Sequence, residues 1–222
     1  MYTTMRELRG WTIRGTDGGD AAKVDDILFD DRAWRVRYVV AETGSWLHRH
    51  KVLVSPNALG RLRGQAHFVP ALLTANEIAH CLPVDADPPV STRMAAQLGD
   101  LVTLATYWVG GFGVPYLASP VTSPLPRSKP QTGDPHLRSA TWLMGYHTVA
   151  QDGEIGSLED LLIDDEGWCL RDLVVQTHGW PHHKDVLIAP HWVSRISWAM
   201  RTVRIELPRE RVVGALSGPS LS

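Results

Sequence analysis

Ten histidines, two cysteines and several adjacent acid pairs are the residues of this chain that could do chemistry. His48 and His50 lie two apart, so on a strand they would share a face and could chelate a metal. His182 and His183 are adjacent and would point to opposite faces. No Asp, Glu or Cys at fixed spacing completes a ligand set, so a polar hairpin turn is the expectation and a histidine-based metal site the lesser alternative. The pairs Asp25–Asp26, Asp30–Asp31 and Asp164–Asp165 lack the loop pattern that calcium needs. They are expected to shape turns and protect strand edges. Cys81 and Cys169 stand in no CxxC or Cys/His spacing, and no GxSxG, P-loop or GxGxxG occurs. No catalytic, cofactor-binding or metal residue is therefore assigned, and no enzyme activity is expected.

The elements that must position these residues come in duplicate. Val24–Pro56 aligns with Leu158–Pro190 at one offset of 134 without a gap, and 13 of the 33 pairs are identical. Ordinary composition would give about two. The identities include Asp26, Asp30, Asp31, Trp34, Arg37, Trp46, His48 and Pro56 with their partners Asp160, Asp164, Asp165, Trp168, Arg171, Trp180, His182 and Pro190. Within a unit the period is mostly two. Trp34, Val36, Tyr38 and Val40 are expected on one strand face, with Arg35 and Arg37 on the other. "KVLVSP" and "DVLIAP" are short strands closed by proline, and "HFVPALL" and "RTVRIEL" supply a later strand in each copy. "TANEIAH" and "PRERVVGAL" are helix-like. The fold class is mainly all-β: short antiparallel strands with turns at close spacing suggest one small barrel or sandwich per repeat, with short helices.

Between the repeats, "STRMAAQLGDLVTLATYW" has helical spacing, and "SPVTSPLPRSKPQTGDPHLR" is a proline-rich extended linker. The expected organisation is a first domain at 1–90, a helical and proline-rich connector at 91–138 and a second domain at 139–222. Leu101–Pro126 carries no charge, but Gly110, Gly111, Gly113 and Pro115 interrupt it, so a spanning helix is not expected. The beginning lacks the pattern of a secretory signal, and a cytoplasmic location is expected.

Asp26, Asp30–Asp31, Trp34, Arg37, Val40, Thr43, Trp46 and the closing "VLVSP", with their counterparts up to "VLIAP", form an ordered string. It resembles the PRC-barrel domain in its bacterial form with two tandem copies related by approximate two-fold pseudo-symmetry. "LPVDADPPVSTRMAAQL" resembles the segment that follows the first barrel there. The resemblance implies a small β-barrel, as in the cytoplasmic part of the photosynthetic reaction-centre H subunit and at the end of a ribosome maturation factor. There it acts as an assembly surface rather than a catalyst. The chain departs from the pattern at Ser157, where histidine is expected, at Asp172, which replaces the aromatic Tyr38, at the extra Gly19, and at the hairpin tips "LHRHK" and "PHHKD". The membrane helix of the H subunit is absent from the sequence.

A protein partner is therefore expected, and homo-oligomerisation or peripheral contact with a membrane electron-transfer complex through residues 101–118 are alternatives. With formal net charge −2, no overall field draws nucleic acid or anionic membrane. RNA binding through Arg195, Arg201, Arg204, Arg209 and Arg211 is the weaker alternative, because Glu206 and Glu210 dilute them. Arg37 and Arg171 are expected to make structural salt bridges or hydrogen bonds to turn carbonyls. The candidate interaction surface is Trp46, His48, Trp180 and His182: aromatic and cationic groups near the hairpin tips, where exposed anchors form interfaces.

Overall fold

Two bulges set the arrangement of the acidic pairs. Strand β3 (Asp20–Asp30) and its counterpart β10 (Gly153–Asp164) each slip register, between Val24 and Asp26 in one and between Leu158 and Asp160 in the other. The extra residue is an acid in both, Asp25 or Glu159. A bulge re-aims consecutive side chains. One acid of each pair therefore meets cations at the surface while the next, Asp26 or Asp160, is buried. The computed structural model describes residues 2–45, 48–84, 136–178 and 185–214.

In the first half the order continues as β1 (Tyr2–Thr4), α1 (Met5–Leu8), β2 (Thr12–Arg14), β3, β4 (Arg35–Ser45), β5 (His48–Val54), β6 (Phe68–Pro70), α2 (Ala75–Ala79) and β7 (Leu82–Pro83). The second half holds β8 (Leu137–Ser139), α3 (Ala140–Leu143), β9 (His147–Ala150), β10, β11 (Cys169–Thr177), β12 (Asp185–Ile188), β13 (Val193–Ser197), β14 (Thr202–Ile205) and α4 (Arg209–Gly214). The mainly-β expectation holds. Among the described residues all 14 strands join one hydrogen-bonded sheet, and no closed barrel is seen.

The two halves pair alike. β2–β3–β4–β5 and β9–β10–β11–β12 are antiparallel, and β6 and β14 add in parallel to β2 and β9. The sheet is continuous because Arg35 faces Cys169, the equivalent residue at the same offset. Val36 N donates to Trp168 O and Leu170 N to Trp34 O, each at 2.8 Å. A local pseudo-dyad passes between Arg35 and Cys169. Trp34 and Trp168 both have positive φ, 53° and 45°, an uncommon conformation for a bulky residue.

Each half lends its first strand and helix to the other. β1 pairs with β10, and β8 pairs with β3, at equivalent registers: Tyr2 faces Asp164 and Leu137 faces Asp30. Met5 and Leu8 of α1 and Ala140 and Leu143 of α3 are buried in one apolar core drawn from both halves. Short helices such as these have little stability alone and depend on such packing. Thr4 caps α1 in a capping box with Glu7, and Ser139 Oγ caps α3 by accepting from Trp142 N at 3.1 Å.

The alternation expected for Trp34 to Val40 is corrected. A second pair of bulges falls at Arg37 and Arg171, because Phe29 faces Val36 while Leu28 faces Tyr38, and Ile163 faces Leu170 while Leu162 faces Asp172. The extra residue inverts the pleat. Val36 faces the main core with Val39 and Ala41, whereas Tyr38 and Val40 turn to a small outer cluster with Leu28, Leu53, Leu137 and Val84. The repeated arginine is the bulge residue, which is why a charge is tolerated in an otherwise apolar strand. As expected, α2 and α4 follow the late strands, and Val203 and Ile205 are buried while Arg204 is exposed.

Candidate interaction surface

Trp46, Trp180 and His182 lie outside the described residues, as does the 101–118 segment. His48 opens β5, its backbone paired with Ser45 at the hairpin end. Of the four tip residues, only His48 is therefore placed.

What the described residues do bring together is two of the three recurring aspartate pairs, each against the opposite half. Asp26 is 8% exposed. Its Oδ1 accepts from Thr141 N at 3.0 Å, Thr141 Oγ1 at 2.8 Å and Ile27 N at 2.8 Å, and its Oδ2 from Ser139 Oγ. Burial pushes this carboxyl above its ordinary value, and the hydrogen bonds only partly oppose that. Asp160 Oδ1 accepts from Arg6 N at 3.2 Å and from Leu161 N at 2.8 Å. Arg6 and Thr141 are the second residues of their helices, so each aspartate receives a backbone N–H that a helix start leaves unpaired.

The next recurring pair works across the halves too. Asp31 accepts from His136 Nδ1 at 2.8 Å and from Arg138 Nε at 2.6 Å. Asp165 is buried and its Oδ2 accepts from Leu62 N at 3.0 Å, while Arg61 pairs with Glu166 at 3.2 Å. Only the third pair does the turn work expected of all of them. Asp30 Oδ1 accepts from Arg32 N and Ala33 N, and Asp164 Oδ1 from Glu166 N. The Ala33 N–H, foremost, holds the Asp30 carboxyl below its usual value. Arg37 pairs with Asp30 at 3.7 Å, in keeping with the ion pair expected for it. For Asp25, burial pushes the pKa up, but the Lys51 ammonium at 2.6 Å and Arg9 bring it below its ordinary value.

Two open grooves flank the pseudo-dyad at equivalent places. The first, about 700 Å³, has Arg35–Tyr38 as its floor. Ser55–Asn57 and Leu59–Arg61 form one wall, and Asp165–Trp168 of the opposite half the other. The second, about 900 Å³, has Cys169–Asp172 as its floor, with Ala189–His191, Val193 and Ser194 on one side and Asp31–Trp34 on the other. Pro56 and Pro190 open equivalent 3-10 turns along these walls. Both grooves are built by both halves.

Sequence reasoning missed Asp26 and Asp160 as joints and Arg35 and Arg61 as groove residues. A signal for the first existed: the repeated aspartate is followed directly by an apolar run, "DILF" or "DLLI", rather than by turn residues. None existed for Arg61, whose counterpart Arg195 lies outside the second groove's lining. Among the described residues no three His, Cys, Asp or Glu side chains group as metal ligands, and no helix is long and apolar enough to cross a membrane.

The chain carries a PRC-barrel domain: the sequence model of that family matches residues 4–66, from the end of β1 through β5 and the loop after it. No curated protein matches the chain.

Proposed function

We propose that the protein is a non-catalytic interaction module that holds a protein partner. In this reading it is a tandem of two PRC-type units, spanning 1–90 and 139–222 and joined by the segment 91–138, which work as one body. The observation that carries it is the engagement of the recurring carboxylates. Asp26, Asp31, Asp160 and Asp165 would be the natural candidates for acid–base work, and each accepts hydrogen bonds from the opposite half. A general acid or base needs a proton path to a substrate in a cleft. Carboxylates committed to backbone and cation donors inside a joint hold the two halves together instead. The surface that results, with equivalent grooves on either side of the dyad, suits docking.

The test is affinity purification of the untruncated protein from its native cells, with soluble and membrane fractions kept apart. Repeated recovery of the same partner protein at a fixed ratio is expected. Failure to recover any partner, together with turnover of a small metabolite by the purified chain, would overturn the reading.

A further inference from the structure

The two grooves share a backbone frame and differ in chemistry. In the first, Arg35 projects from the floor, exposed, with no hydrogen-bond or ion-pair partner among the described residues. Arg61 stands on the wall, and its pair with Glu166 leaves the two side chains 73% and 59% exposed, so solvent screens that pair and little holds it closed. The other acid of this groove, Asp165, is buried and committed to Leu62 N. Ser55 Oγ accepts from Asn57 N at 3.3 Å, which leaves the hydroxyl hydrogen to donate. In the second groove Cys169 stands for Arg35, Ala189 for Ser55 and Asp172 for Tyr38. On the floor a guanidinium and a phenol are lost and Asp172 is gained, although the second groove is the larger. On the wall the Ser55 hydroxyl is lost, while Arg32 stands where the first groove has Glu166.

We propose that the first groove binds an acidic segment of a partner protein, whose carboxylates engage Arg35 and Arg61 while Ser55 and Asn57 donate neutral hydrogen bonds. This rests on the assembly reading above. A guanidinium presents a planar fork that matches a carboxylate with two parallel hydrogen bonds. The trough is open to solvent along its length, unlike a small-molecule site, which encloses most of its ligand. An extended peptide suits it, because alternate side chains fall on one face and can reach guanidiniums on both floor and wall. In the second groove Asp172 sits on the floor beside Arg171, with Arg32 on the wall and no counterpart of the Arg35 guanidinium, so the same carboxylates find fewer free donors on its floor.

Isotope-labelled full-length protein is titrated with a capped peptide of alternating glutamate and serine, and with its glutamine–serine counterpart. Expected are saturable NMR shifts at Arg35, Asn57, Gly60, Arg61 and Gly167, little change at the equivalent Cys169, His191, Ser194 and Ala33, and no saturation by the glutamine peptide. Arg35→Gln combined with Arg61→Gln should weaken the glutamate peptide by about tenfold or more, as loss of charge-assisted bonds entails. Both side chains are exposed, so the remaining amide spectrum should stay in place. Equal response of both grooves, undiminished binding by the double variant, or saturation by the glutamine peptide overturns the proposal. So does equal saturation by free glutamate or inorganic phosphate, which would make the groove a small-anion site. If the wild type captures a partner from cells and the double variant captures as much, the groove proposal falls and the assembly reading stands. If the wild type captures none and the purified chain turns over a small metabolite, the assembly reading itself fails, whatever the peptide titration shows.

Discussion

The arm β1–α1 and the arm β8–α3 take the same path onto opposite halves, yet they are held by different chemistry. Asp160 receives one backbone N–H from the incoming Arg6, and the arginine side chain reaches the rim to meet Glu159 at 2.9 Å. Asp26 receives a backbone N–H and two hydroxyls from the other arm. The strand register and the helix N–H are common to both, so they are what the exchange requires. The side-chain reinforcement is where the halves were free to diverge. Outside the core they diverge further. β7 covers β5, and Leu82 and Pro83 face Leu53 and Val52. In the second half, Leu187 of β12 is 45% exposed, and Tyr2 of the arm paired to β10 is 54% exposed.

The comparison can be broken most severely at Gly156. A Cβ there would fall 1.8 Å from Gln176 O, although the equivalent Ala22 is accommodated in the first half. Gly156→Ala should cost more than about 3 kcal/mol by forcing β10 from β11, since a backbone clash cannot be relieved by a rotamer. Denaturant unfolding at neutral pH would measure it, and a near-neutral effect would show that the two halves tolerate a side chain here equally.

Next come the joints. Asp26→Ala leaves several buried donors without an acceptor and should cost about 2–4 kcal/mol, against about 1–3 kcal/mol for Asp160→Ala. The order of the two midpoints in urea is the critical readout. If Asp160→Ala proves the worse, the reinforcement has been assigned to the wrong arm.

The outer faces give the third comparison. Leu53 is 4% exposed under β7, so Leu53→Ala should cost about 2–4 kcal/mol. Leu187→Ala should cost under about 1 kcal/mol, because far less of its area leaves water. Equal losses in thermal unfolding would mean that something covers β12 as β7 covers β5.

The smallest effect carries a sign. Burial raises the folded-state pKa of Asp26 above its ordinary 3.8. Its contribution to stability is therefore fully present below that value and is lost as pH rises through the folded pKa. Asp26→Asn abolishes this dependence. The variant should gain on the wild type as pH climbs from about 4 towards neutrality. A gain that grows as pH falls would contradict the assignment.

Much of the frame could be read from residue order alone. The offset of 134, the paired tryptophans and the turn work of Asp30 and Asp164 are local regularities, and periodicity exposes such things. The bulges at Arg37 and Arg171 were not legible, because an inserted residue changes face without changing composition. An arginine in an apolar strand looks the same whether it sits on the solvent side or in a bulge. The exchanged arms were invisible for another reason: nothing near Thr4 or Ser139 says which β-strand each will pair with. Asp26 and Asp31 look like two turn-formers until the opposite arm is placed against them.

The exchange also bears on how the chain reaches its folded state. Arg6 lies 154 positions from the aspartate that receives it, and Thr141 lies 115 from its own. Closures of that span are slow, and folds dominated by them reach the native state in milliseconds to seconds rather than microseconds. Until both arms seat, β3 and β10 each keep an unpaired edge beside an open core. Neither half can finish early, and intermediates with such edges are the species that aggregate. Refolding yield should therefore fall with protein concentration well before equilibrium stability is lost.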